Sequence, residues 1–536
     1  MKVKLENGKI VFTLSYAENH KAKSCGARWH TATRTWQAKA NKITAAAVKS
    51  YFQPEEYDPA IAELSGSMTA IPPMVCDVNF VIKGTTLLPR QEKAVKGAWP
   101  HLGHAFFHCM GAGKTISSIT LANLRYTHQL IDQLLVICPT SIKGVWKKEI
   151  NKFSGLTMEN QVQVLEAGDN LFPTRPYGIL VMGVEGLSQG NSYDKAMQFV
   201  RAGRTMVVID ESSTIKNYDA IRSQKCWDIG QEAVFRLILS GTSVTQGIQD
   251  LYSQMYFLDP TIIGELSYYS FRNKYCVMGG FEQRKIVGYK DTELLLDKMR
   301  PYTDVILKGE MKLPAKQYQI REVKSTAEQI RACKELAREM TTELAGETIT
   351  VQNTLEAMLR YQQIAGGHLP DGTRLGKIPK LTELLALLEE FDGKAIIWAR
   401  YLPEVSLIAE TLDKIYPDSV IIITGDVPPP DRQPLVDIFQ ENPTKRWLVA
   451  NQATASKGLT ITAATLAVYY SNTFSLEDRE QSEDRNHRHG QHNEVMYIDL
   501  ISDLKVDKTV VTAIANKKDV ADYVKENLRG DGLQPF

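Results

Sequence analysis

The chain has 536 residues, 43% of them hydrophobic and 23% charged, with a formal net charge of +1. That length gives room for several cores, and the composition is that of an ordinary globular protein. The near-neutral balance argues against a basic tail that coats nucleic acid, though not against a local basic groove. Seven cysteines, at 25, 76, 109, 138, 226, 276 and 333, form no CxxC pair; this points to reduced thiols and away from a zinc ribbon. The opening residues lack the apolar core of a secretion signal, and no apolar run approaches membrane-spanning length. A soluble, cytoplasmic protein without a membrane partner is therefore expected.

Residues 1–55 read as a small α+β module: a strand pattern at 10–14, a short helix at 16–26, Trp29 and Trp36 flanking a polar turn as in a hairpin, and a helix at 43–52. A linker is expected over 56–76, from its prolines, acids and small polar residues. Over 77–262, apolar runs at 134–138, 178–182, 206–210 and 236–240 alternate with amphipathic stretches, the pattern of a parallel sheet with helices on both faces. Residues 263–375 are rich in helix formers, notably at 326–345 and 354–363, and read as a helical insertion. The alternation resumes over 376–536, with strands expected at 395–398, 419–424, 447–450, 466–470 and 494–500 and a charged helix at 507–527. The predicted fold class is α/β: two parallel-sheet lobes, a helical insertion and the N-terminal module.

Three segments carry chemistry. Phe106-Phe107 leads into His108-Cys109-Met110-Gly111-Ala112-Gly113-Lys114-Thr115, and an apolar helix follows. Strand, glycine-rich loop and helix N-terminus together form a phosphate cradle. Gly111 and Gly113 let backbone N–H groups approach phosphates, Lys114 reaches the β/γ-phosphates, and Thr115 ligates Mg²⁺. The plain alternative is a glycine-rich turn without nucleotide. Asp210 and Glu211 end an apolar run, at the sheet edge where ligands bind in such folds. Asp210 is expected to hold Mg²⁺ and Glu211 to activate the attacking water; the alternative is an acidic pair that caps a helix. Third, Gln481, Asp484, Arg485, His487 and Arg488 lie close together, with the two arginines three apart and so on one face of an expected helix. Planar guanidinium groups suit the charge of a transferring γ-phosphoryl group. His487, His489 and His492 come without a carboxylate or thiolate set at a recognised metal spacing. Upstream, Gln91 is a candidate for reading the adenine edge with its amide.

With these segments in order, the chain resembles the SNF2 family of superfamily 2 helicase-like ATPases, over roughly residues 80–527. Residues 87–91 are similar to the family's adenine-reading segment and 110–115 to its motif I. Residues 135–139, with Trp146-Lys147-Lys148-Glu149, resemble motif Ia, and 210–217 resemble motif II. Ser240-Gly241-Thr242, with Gln246 and 257–260, resembles motif III; Lys457-Gly458-Leu459-Thr460 resembles motif V; and 481–491 resembles motif VI. The resemblance implies two RecA-like lobes, ATP and Mg²⁺ as cofactors, DNA (duplex or forked) as partner with RNA the weaker choice, and lobe closure around one ATP site. It further implies DNA contacts at Thr140, Ser141, Gly458 and Thr460, and coupling through Thr242 and Gln481. The chain departs from the family pattern at Ser213, where His is usual, at Ser243, where Pro is usual, and at His108, where an acidic residue often stands. These touch coupling more than phosphate chemistry. Gly26-Ala27-Arg28-Trp29 followed by Thr35-Trp36 resembles small DNA-binding modules attached to annealing helicases. The expected activity is translocation on duplex DNA. A strand-separating DNA or RNA helicase and an ATP-switched scaffold without turnover are the alternatives.

Overall fold

The computed structural model describes residues 2–40, 42–64, 71–74, 77–156, 161–166, 168–171, 177–280, 285–311, 313–343, 351–455 and 459–529. The chain divides into two compact units, residues 1–307 with 520–536, and residues 308–519.

The first unit opens with a four-stranded antiparallel sheet of β1 (Val3–Glu6), β2 (Lys9–Phe12), β3 (Arg28–His30) and β4 (Thr35–Lys39), in the order β1-β2-β4-β3. The hairpin expected between Trp29 and Trp36 is β3–β4, and the helix expected at 43–52 spans Lys42–Tyr51. Strand β1 was not expected; its Val-Lys-Leu-Glu run is too short to stand out. The core under this sheet, built on Val3, Ile10, Phe12, Val48 and Phe52, also takes in Leu266 from far along the chain.

A parallel sheet follows, made of β5 (Gly103–His108), β6 (Gln133–Cys138), β7 (Val162–Val164), β8 (Gly178–Gly183), β9 (Thr205–Asp210) and β10 (Phe235–Leu239). Further on come a small antiparallel pair, β11 (Cys276–Gly279) and β12 (Lys285–Tyr289), and β13 (Thr303–Ile306), which joins the parallel sheet at its edge. The order is β13-β5-β10-β9-β6-β8-β7. Every residue of β5, β6 and β9 is buried. Strands covered on both faces are mostly apolar, which is why the runs within β6 and β9 are legible.

The second unit carries β14 (Lys316–Val323), β15 (Lys394–Ala399), β16 (Val420–Ile423), β17 (Trp447–Asn451), β18 (Ala464–Tyr469) and β19 (Val495–Ser502), all parallel, in the order β14-β19-β18-β15-β17-β16. Two cores flank this sheet. Ile397, Val449, Val468 and Ile498 face one, and Ile396, Trp398, Leu448 and Tyr469 face the other. Two parallel-sheet α/β lobes are therefore present, as expected.

The stretch 263–375, read from sequence as helical, holds β11 to β14 beside its helices. The reason is position in the sheet. Strands β13 and β14 lie at edges, and β14 is largely exposed along its length, so neither needs the apolar run that marks a central strand.

Candidate active site

In the first unit, β5 ends at His108 and the chain turns through residues 109–113 into the helix Lys114–Thr127. Gly111 and Gly113 have φ of +79° and +86°, a region open to glycine without strain. A Cβ on Gly113 would also lie 2.2 Å from Gln91 Nε2. Gln91 braces this loop: Nε2 donates to the Ala112 carbonyl at 2.9 Å, and Oε1 accepts from the Leu88 N–H at 2.9 Å. Lys114 Nζ donates to the His108 carbonyl at 2.9 Å, and half-buried Thr115 follows on the first helical turn. The N–H groups of that turn have no partner within the helix and suit an anion. His108 itself is buried, and its Nε2 meets Asp304 Oδ1 of β13 at 2.7 Å.

Asp210 closes β9 and is buried. Trp146, from the helix Lys143–Phe153, donates Nε1–H to Asp210 Oδ2 at 2.8 Å, and the Glu211 N–H donates to Oδ1 at 2.9 Å. Burial pushes the Asp210 carboxyl above its usual range, while the Lys114 charge and these two donors pull it back. Glu211 has φ +50°. A non-glycine residue in this left-handed region turns the chain sharply off the strand, at some cost in strain.

Strand β10 ends between β5 and β9, and its following loop lies against the first. A Cβ on Gly241 would be 3.3 Å from Met110 Cγ and 3.7 Å from Lys114 Nζ. The Thr242 N–H donates to Ser240 Oγ at 3.1 Å. Two residues of the helix Asp250–Leu258 hold this loop. Gln254 Nε2 donates to the Ser243 carbonyl at 2.7 Å, and its Oε1 accepts from Ser212 Oγ at 2.6 Å. Asp250 Oδ2 accepts from the N–H groups of Thr245 and Gln246, each at 2.8 Å. Gln254 thus joins the loop after Asp210-Glu211 to the loop after β10. The departures Ser213 and Ser243 are both buried beside this brace.

Thr140 and Ser141, after β6, are exposed. The Thr140 N–H and Oγ1 both bond Glu185 Oε2, at 3.0 and 2.7 Å.

In the second unit, the helix Leu476–Glu483 stops before Arg485 and Arg488. The expected shared helix face is therefore corrected: both arginines lie in the irregular turn beyond it. They converge nonetheless, since Arg485 Nη1 and Arg488 Nη1 donate to the Leu459 carbonyl at 2.8 and 3.2 Å. The helix ends because the chain dives inward. Asn486 is fully buried, its Nδ2 donating to the Ala464 carbonyl at 3.3 Å and its Oδ1 accepting from Tyr497 OH at 3.1 Å. Gln481 is buried, with Nε2 donating to Glu477 Oε1 at 3.2 Å. Thr460 is half-buried, and Gly458 lies outside the described residues.

Below this turn runs an ion network. Arg479 donates to Asp499 through Nη1 at 2.6 Å and Nη2 at 3.0 Å, and to Glu483 Oε1 through Nε at 2.9 Å. Glu483 Oε2 also accepts from Lys316 Nζ at 2.6 Å and Tyr318 OH at 2.7 Å. Burial alone would raise the Glu483 carboxyl, but Lys316 and Arg479 hold it far below its usual range. His487 donates its Nε2–H to the Pro314 carbonyl at 2.7 Å, and burial pushes its imidazole down to about 4.

Sequence reading missed Gln254, Asp250 and the Arg479–Asp499 pair as parts of the site, and it did not foresee that Trp146 would touch Asp210. A lone Trp or Gln on an amphipathic helix reads as core or surface, and its partner is remote in sequence.

The SNF2-related domain family matches residues 25–367, and the Helicase conserved C-terminal domain family matches residues 376–490. The chain is 25% identical over 448 residues to the DNA annealing helicase and endonuclease ZRANB3 of Bos taurus, covering 81% of this chain and 40% of that protein. It is 24% identical over 479 residues to the SWI/SNF-related matrix-associated actin-dependent regulator of chromatin subfamily A-like protein 1 homolog of Caenorhabditis elegans, covering 84% of this chain and 64% of that protein. It thus spans less than two thirds of either relative. Among solved structures, the Sulfolobus solfataricus SWI2/SNF2 ATPase core in complex with dsDNA aligns with a TM-score of 0.40 at 20% identity, covering 86% of this chain and 96% of that one. With one family match covering most of the chain and the second following it directly, the chain belongs to the SNF2 family of helicase-like ATPases.

Proposed function

We propose that this protein hydrolyses ATP in response to DNA and uses the cycle to move along duplex or branched DNA, with remodelling, strand annealing or protein displacement as output. The observation that carries the reading is the gathering of Lys114, Asp210 and the Ser240-Gly241-Thr242 loop on one sheet edge, at the ends of β5, β9 and β10. In this reading the N–H groups around Gly111 and Gly113 cradle phosphates, Lys114 reaches the β/γ-phosphates, and Glu211 orients the attacking water. Thr115 and Asp210 fit Mg²⁺: both offer hard oxygen donors, and a cation offsets the cost of burying Asp210. Mg²⁺, when bound, neutralises phosphate charge. Arg485 and Arg488 stabilise the transferring γ-phosphoryl group. Gln91 acts first as the brace of the phosphate loop and only then on adenine.

Thr242 and Gln481 couple the nucleotide state to the grip on DNA. Thr140, Ser141, Gly458 and Thr460 supply phosphate contacts that do not depend on sequence. The two parallel-sheet lobes, the first including β13 and the second including β14, form the motor, and residues 1–55 form an accessory DNA-binding module.

The test is ATP turnover without nucleic acid and with single-stranded, duplex and forked DNA and RNA, using Lys114→Ala as the blank. Stimulation by duplex or forked DNA that the substitution abolishes is expected. Turnover indifferent to every nucleic acid contradicts the reading, and ATP binding without turnover leaves the scaffold alternative.

A further inference from the structure

Within the first unit, a groove of about 1390 Å³ runs between the N-terminal sheet and the segments 218–231 and 252–273. Its shape is built in. Leu266 is buried in the core of the N-terminal module, Tyr51 OH donates to the Gly264 carbonyl at 2.6 Å, and the Leu266 N–H donates to the Ser24 carbonyl at 3.3 Å.

The two walls carry opposite charge. Among the described lining residues, the N-terminal wall presents Lys23, Arg28 and Lys39 and no carboxylate, while the facing wall presents Asp219 and Asp228 and no Lys or Arg. Aromatic rings open into the space from both sides. Trp29 is 49% exposed and Tyr269 is 58% exposed. Both are braced from behind. Trp29 meets Trp36 edge-on at 5.6 Å, and Trp36 is fixed by its Nε1–H donating to Asn19 Oδ1 at 2.9 Å. Tyr269 meets Tyr218 edge-on, and Tyr218 stacks on Tyr268 at 3.8 Å.

An occupant that suits these walls has one anionic edge and one flat aromatic edge bearing N–H donors. A nucleic-acid strand has that build, with phosphates along one side and bases along the other. A duplex does not, because its base faces are stacked inside. We propose that this groove holds unpaired nucleotides, with their phosphates toward Lys23, Arg28 and Lys39 and their bases stacked on Trp29 and Tyr269, base N–H groups meeting Asp219 and Asp228. The proposal rests on the reading of residues 1–55 as a DNA-binding module, and it adds the strand state and the facing wall of that site.

The test is fluorescence anisotropy of a labelled oligodeoxythymidine and of an abasic strand of equal length, with the full chain and with a Trp29→Ala, Tyr269→Ala double variant. A Trp29→Phe, Tyr269→Phe variant reports on folding. Wild type is expected to bind oligodeoxythymidine, the alanine variant roughly tenfold or more weakly, and the phenylalanine variant close to wild type. The abasic strand is expected to bind weakly to all three proteins. Equal affinity of wild type and alanine variant, an abasic strand that binds as well as oligodeoxythymidine, or no oligodeoxythymidine binding by wild type (as for a groove that takes a protein segment) each overturn the proposal. Duplex-stimulated ATP turnover of wild type is measured alongside as a separate readout of the motor. Its absence in wild type would overturn the motor reading and leave this site standing.

Discussion

Trp146 donates its indole N–H to the Asp210 carboxylate across 2.8 Å, and both side chains are buried. The helix Lys143–Phe153 is thereby tied to the end of β9, beside the phosphate loop. Trp146→Phe keeps the ring in the core and removes the donor. A hydrogen bond to a charged group contributes about 1.5–3 kcal/mol, so kcat is predicted to fall about tenfold or more. A kcat unchanged from wild type contradicts this.

Arg488 and Arg479 lie close in sequence and differ in kind. Arg488 is half-buried, and its Nη1 meets the Leu459 carbonyl. Arg488→Lys keeps a cation but loses the planar fork. It is predicted to lower kcat by roughly a thousandfold, the scale of a γ-phosphate arginine, and to leave urea unfolding nearly unchanged. Arg479 is buried between Asp499 and Glu483. Arg479→Leu takes the cation from buried Asp499 while Glu483 keeps Lys316 and Tyr318, and breaking a buried pair costs about 3–5 kcal/mol. The urea midpoint should drop accordingly, and a stable Arg479→Leu protein contradicts the network.

The second unit contains two buried groups with opposite pH dependence. Burial pushes the Glu404 carboxyl from 4.5 up to about 7, against the Ser471 hydrogen bond and the Lys380 charge. Its folded value lies above its unfolded one, so its contribution is fully present below 4.5 and is lost as pH rises through 7. His487 is pushed from 6.5 down to about 4, so its contribution is fully present above 6.5 and is lost as pH falls through 4. Each slope is at most about 1.4 kcal/mol per pH unit, and between 4.5 and 6.5 they oppose one another. Glu404→Gln removes the falling slope. Relative to wild type, its Tm is predicted to rise between about pH 5 and about pH 8. A difference that stays constant over that range contradicts the assignment.

What the sequence made legible follows from burial and locality. Central strands such as β6 and β9 are mostly apolar, and the Gly111–Thr115 loop keeps its chemistry within a few consecutive residues, so both stand out. Strands β13 and β14 did not, because an edge strand can stay polar. From spacing alone, Arg485 and Arg488 read as a helical pair. The buried Asn486 between them ends the helix, and its partners Ala464 and Tyr497 are fixed only by the tertiary fold. Trp146, Gln254 and Leu266 were missed for the same reason: each acts through a partner that sequence distance hides.

ATP-driven movement on duplex DNA can be watched as displacement of a third strand from a DNA triplex. Wild type with ATP is expected to release the third strand, leave the underlying duplex intact, and lose this activity on Lys114→Ala. ATP turnover without release, or separation of the duplex strands themselves, would contradict it.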